Sequence, residues 1–142
     1  MVNKIISAIS NAIYNEFGDD YDIYTEFVEQ GLNEPCFIIS ESDRLHGQFL
    51  SNRYKETNLF LIQYFPTAEN IRQECNDIAQ RLEQCLEVIG DEASFKIRGT
   101  AMNSQIVDDI LNFSVNYNFF TVRPTEELTE MEELEFNEKR KE

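Results

Sequence analysis

Between positions 110 and 123, apolar Leu111, Phe113, Val115, Tyr117 and Phe119 alternate with polar Asn112, Ser114, Asn116 and Asn118. A period of two predicts a strand with one dry face and one wet face. The wet face carries amides and a hydroxyl in place of Lys or Glu, so it can rest against another protein without burying an unpaired charge. Pro124, which has no N–H for a ladder, ends the strand.

The rest of the chain supplies the other elements. Val2, Ile5, Ile6, Ile9, Ala12, Ile13 and Phe17 recur at three- and four-residue intervals, predicting an amphipathic helix closed by Gly18. Residues 21–28 are rich in β-branched and aromatic types and predict a strand. A turn through Gly31 and Pro35 leads to a returning strand over 36–40. Phe37, Ile38 and Ile39 are consecutive apolar residues, which predicts burial on both faces and a central place in the sheet. Residues 41–56 keep no clean period and read as a long loop or a bent edge hairpin. Strand character returns over 57–65 and stops at Pro66.

Thr67 is a suitable N-cap, with Glu69 placed for the helix dipole. From there Ile71, Cys75, Ile78, Ala79, Leu82, Leu86 and Ile89 predict a helix running to a cap at Gly90, with Asp77 and Arg81 spaced to pair. Residues 95–107 are extended, and Asp108-Asp109 is a two-residue turn into the final strand. This order predicts an α+β fold: two helices packed on one face of a largely antiparallel or mixed sheet of four to six strands. Residues 1–123 read as one domain, followed by an acidic tail over 124–142.

Length agrees with one core, since the chain has 142 residues, 42% of them hydrophobic. Charge narrows the partners. The net charge is −15; residues 124–142 hold eight acids and three bases, or −5, leaving −10 on the body. Such a molecule repels nucleic acid and anionic lipid at long range, so sequence-specific DNA binding and membrane association are not expected. The apolar runs are too short to span a bilayer, and Glu16 interrupts any leader-like segment, so a cytosolic site of synthesis and residence is expected. Within residues 41–56, Arg44, Arg53 and Lys55 supply three of the nine bases of the body.

Candidate chemistry is sparse. Cys36, Cys75 and Cys85 are an odd set, which favours reduced thiols over a disulfide framework. Cys75 and Cys85 stand ten residues apart, roughly 15 Å along a helix, too far for one zinc ion. His46 has no orienting partner in the pattern, and Asp19, Asp20 and Asp22 lack the glycine and terminal Glu of a calcium loop. With five glycines there is no phosphate-binding loop and no nucleophile elbow. No cofactor, metal or catalytic residue is expected, and a non-enzymatic role follows. Leu128, Met131, Leu134 and Phe136 lie among the acids of the tail, which suits either a segment that is mobile until something binds it or a helix that docks on a partner.

Glu29-Gln30-Gly31-Leu32-Asn33-Glu34-Pro35-Cys36-Phe37, Asn52-Arg53-Tyr54, Gln63-Tyr64-Phe65-Pro66 and Phe113-Ser114-Val115-Asn116-Tyr117-Asn118-Phe119-Phe120 together carry a resemblance. The chain is similar to the tail terminator (tail completion) proteins of tailed phages and prophages of Gram-positive bacteria. The resemblance runs from the first helix through Arg123 and takes in Met131 to Glu135. It implies a structural virion protein that forms a closed ring, commonly of six subunits, on the head-proximal end of the tail tube. The ring would end tube growth and serve head-tail joining. The implied partners are other copies of itself, the tail tube protein and the head connector or neck proteins, in the host cytoplasm during assembly and then in the virion. Family members favour Asp-Gly where this chain has Asp108-Asp109.

A ring built by one repeated heterologous contact needs two different complementary surfaces on each subunit. The candidates are the wet face Asn112, Ser114, Asn116 and Asn118, and the basic-aromatic stretch of Arg44, Phe49, Arg53, Tyr54 and Lys55. An acidic body also suits a channel crossed by DNA. Two other roles fit the same residues: a different neck or head-completion adaptor, and an acidic DNA mimic that inhibits a nucleic-acid enzyme.

Overall fold

A computed structural model of the chain describes residues 1–25, 31–67, 69–91 and 95–122. The expected acidic tail over 124–142, and the end of the strand expected over 21–28, lie outside the described residues. The elements are α1 (Val2–Phe17), β1 (Asp22–Tyr24), β2 (Cys36–Leu50), β3 (Arg53–Phe65), α2 (Ile71–Cys85), β4 (Val88–Asp91), β5 (Phe95–Val107) and β6 (Ile110–Val122). They make an α+β fold with a mixed six-stranded sheet in the order β1-β2-β3-β6-β5-β4. Two compact units result. One comprises residues 1–44 with 57–118, and the other residues 45–56 with the chain from 119 onward.

The first unit holds both helices and the core. α1 buries Ile5, Ala8, Ile9, Ile13 and Phe17, and α2 buries Cys75, Ile78, Ala79 and Leu82, as their spacing predicts. They cover the sheet face formed by Phe60, Ile62 and Tyr64 of β3 and by Leu111, Phe113, Val115 and Tyr117 of β6. The alternation along β6 is therefore realised, with the polar positions half-buried on the opposite face. Each large apolar side chain taken out of water here contributes about 1.5–3 kcal/mol. An aromatic cluster joins the end of α1 to the sheet: Phe17 and Phe37 rings lie 5.0 Å apart, and Phe37 and Tyr64 rings 4.9 Å apart.

β2 is buried on both faces at Cys36, Phe37, Ile38 and Ile39, as three consecutive apolar residues imply, although it lies second from the sheet edge. β1 pairs with it in parallel, Asp22 opposite Cys36 through Tyr24 opposite Ile38. The chain from β1 thus does not return as a hairpin. β3 and β6 run antiparallel, because Asn58 bonds to Tyr117 and Asn118 while Gln63 bonds to Asn112.

Of the two alternatives for residues 41–56 the hairpin forms and the loop does not: β2 extends to Leu50, turns at Ser51 and Asn52, and returns as β3. Cross-strand pairing supplies the order that a broken hydrophobic period conceals. α2 does not run from Thr67 to Gly90. Asn70 stands at its N-cap, and its last turn closes with Leu86 N–H donating to Leu82 O at 2.9 Å. Glu87 O then accepts from Gly99 N–H at 2.8 Å, which captures the following residues as β4, the edge strand beside β5. Arg81 turns away from Asp77 to Glu16 of α1.

The Asp108-Asp109 turn forms as expected, with φ of 53° and 63°, the left-handed pair of a type I′ hairpin. In β5 a bulge lies between Thr100 and Asn103, with Ala101 at φ 54°.

Candidate assembly surfaces

Two surfaces remain once the core is subtracted, one in each unit. In the first unit it is the uncharged face of β6 beside β3. There Gln63 Nε2 donates to Asn112 Oδ1 at 3.1 Å, and Asn58 N–H donates to Asn118 Oδ1 at 3.3 Å. Ser114 Oγ lies 3.5 Å from Asn103 O. Much of the hydrogen-bonding capacity that makes this face suitable for contact is already used within the sheet. Asn116 differs: its Oδ1 is buried with no hydrogen-bond partner among the described residues. Asn58 Oδ1 is likewise unpartnered, while its Nδ2 donates to Tyr117 O at 3.2 Å.

In the second unit the turn at the tip of the β2–β3 hairpin is closed by Gln48 Nε2 donating to Ser51 O at 2.7 Å, with Ser51 at φ 51°. Arg53 and Lys55 share one side of β3, and Phe120 and Val122 share one side of β6, because strand side chains alternate. The Arg53 guanidinium lies 4.9 Å from the Phe120 ring centre and 5.8 Å from that of Phe49, and the two rings are 5.0 Å apart. Cation–π contact at exposed sites contributes about 0.5–1 kcal/mol, enough to bias Arg53 toward the rings. The apolar members stay in water all the same: Phe49 is 51% exposed, Phe120 46% and Val122 65%. Neither Arg53 nor Lys55 forms a carboxylate ion pair among the described residues. Tyr54, by contrast, stacks on His46 with ring centres 5.1 Å apart and planes within 9°, and His46 Nδ1 meets the Glu56 carboxylate.

The structure therefore divides the basic-aromatic group. Phe49, Arg53, Tyr54 and Lys55 lie in the second unit, whereas Arg44 belongs to the first and grips Glu41 with both branches of its fork, at 3.0 and 2.8 Å. Phe120 and Val122 escape a reading of residues 41–56 alone. The available signal is that Phe120 and Val122 end the polar run of Asn112, Ser114, Asn116 and Asn118 on that side of β6.

The titratable groups of the first unit offer little reactive chemistry. Burial pushes the Cys36 thiol up to about 11 and the Cys85 thiol up to about 12, so neither supplies much thiolate at neutral pH. Burial likewise raises Cys75, and it raises Tyr117, whose hydroxyl donates to Leu86 O at 2.6 Å. No cluster of metal-ligating side chains occurs among the described residues. A cleft of about 820 Å³ lies between α1 and β4, walled largely by Asn3, Ser7, Asn11 and Asn15. No described helix is long and apolar enough to cross a membrane.

Comparison with known proteins places this geometry in context. A family model described as phage tail terminator protein matches residues 4–129. No curated protein matches the chain.

Proposed function

The chain belongs to the phage tail terminator family, and on that premise we propose that it caps the head-proximal end of a tail tube as an oligomeric ring. The ring, six-membered as the resemblance implies, ends tube polymerisation and offers its other side to the connector of the head. Copies of this chain, the tube protein and the neck proteins are its partners. It assembles in the bacterial cytoplasm and remains in the virion tail.

The observation that carries this reading is the exposed face of Phe49, Arg53, Phe120 and Val122. Apolar side chains left in water beside cations that have no carboxylate partner among the described residues are characteristic of a protein contact. A net charge of −15 also suits a channel wall from which phosphate must not hang. Negative-stain microscopy of particles made without this protein tests the proposal. Tails of abnormal length and unattached heads are expected. Tails of normal length joined to heads would overturn it, and tails of normal length on unattached heads would point to a neck adaptor.

A further inference from the structure

We propose that the face of Phe49, Arg53, Lys55, Phe120 and Val122 receives residues 126–136 of a neighbouring copy. This rests on the ring reading and deepens it by naming both halves of one subunit junction.

The two halves match in charge and in apolar content. On a molecule of net −15, Arg53 and Lys55 lie side by side on β3 without a carboxylate partner among the described residues. Residues 126–136 contain six Glu and no base, with Leu128, Met131, Leu134 and Phe136 set among them. The acids complement Arg53 and Lys55, and the apolar side chains complement Phe49, Phe120 and Val122, which are about half exposed or more. A segment that repels every other acidic part of the molecule is drawn to this face, so charge selects the docking site as well as strengthening it.

The occupant belongs to a neighbour because ring growth requires two unlike surfaces per subunit. A hairpin face and an acidic segment satisfy that requirement in a single chain.

Full-length charge variants test the junction by light-scattering mass. R53E/K55E and E132K/E133K are each expected to remain folded, with the thermal midpoint of the wild type, and to lose the ring. Mixed together they are expected to regain an alternating ring, because the intact face of one meets the intact segment of the other and the reversed face meets the reversed segment. The variant carrying all four reversals is expected to regain the ring. A four-charge variant that recovers while the two-protein mixture stays monomeric would show docking within one subunit and overturn the proposal. An unaltered ring in either double variant, or no recovery in the four-charge variant, would also overturn it.

A labelled peptide of residues 124–142 reads the contact independently of ring closure. It should bind E132K/E133K, whose face is intact and left unoccupied, and lose about tenfold or more in affinity on R53E/K55E and in high salt. Equal binding to both proteins, or none to E132K/E133K, would overturn the junction. Failure of the terminator reading shows separately, in tail length.

Discussion

Arg81 Nε donates to Glu16 Oε2 at 3.0 Å, tying the middle of α2 to the last turn of α1. Arg81 Nη2 also donates to Glu16 O at 2.9 Å, and the guanidinium lies 4.2 Å from the centre of the Phe17 ring. Both side chains of the ion pair are more than a third exposed, so the charge contact itself adds little. The fork to a carbonyl and the ring contact matter more. Arg81→Met should cost about 1 kcal/mol in urea unfolding, and Arg81→Lys nearly as much, since an ammonium cannot reproduce the planar double contact. A fully tolerated Lys would show that charge alone joins the helices.

Gly90, in β4, has φ +91°, and a Cβ built there would stand 2.0 Å from Phe95 O. Gly90→Ala should therefore lower stability by at least about 2 kcal/mol, combining left-handed strain with a backbone collision. Loss of amide protection at Val88 and Ile89 ahead of the rest of the sheet would locate the damage in β4.

At the β5–β6 turn the sign reverses. Asp109 holds φ 63°, a conformation that glycine adopts without a Cβ penalty. Asp109→Gly should raise stability by about 1 kcal/mol and leave the fold unchanged, measurable as a higher urea midpoint with the same slope.

The buried thiols predict an alkaline weakness. Cys36 and Cys85 are pushed up, to about 11 and about 12, chiefly by loss of hydration, from an ordinary value of 9.0. Below that ordinary value both states are protonated and stability is unaffected. Above it the unfolded chain loses protons that the fold retains, so stability falls by up to about 1.4 kcal/mol per pH unit for each such thiol until the folded thiol ionises. Cys85→Ala should flatten the decline between about pH 9 and 11, whatever it does to stability at neutral pH. An unchanged slope would refute the assignment.

Legibility varied with how local the determining physics is. The alternation of β6 is written into neighbouring residues, and Leu111 through Tyr117 bury as the pattern demands. The end of α2 was hidden because Leu86 and Ile89 continue its helical spacing and do reach the core, but from a turn and a strand. Only the distant Gly99 N–H reveals the change. Parallel pairing of β1 with β2 was hidden for the same reason, as no local pattern records which neighbour a strand meets. Of the candidate surfaces, Arg53 and Phe49 stood out as a cation and an aromatic in a polar stretch. Phe120 joins them across 67 positions of sequence, from Arg53, through a fold that the stretch itself does not encode.

Among the described residues, β1 pairs with β2 at Cys36, Phe37 and Ile38, next to the charged stretch of β2 that follows Ile39. An open ladder invites a strand from any copy that drifts past, and repeated addition of that kind produces a fibre with no end. Glu41, Asp43 and Arg44 occupy the exposed rim just past the core, and the Arg44 fork holds Glu41 in place across it. A strand added from outside would have to take these charged groups out of water, a cost that disfavours open-ended addition at this position.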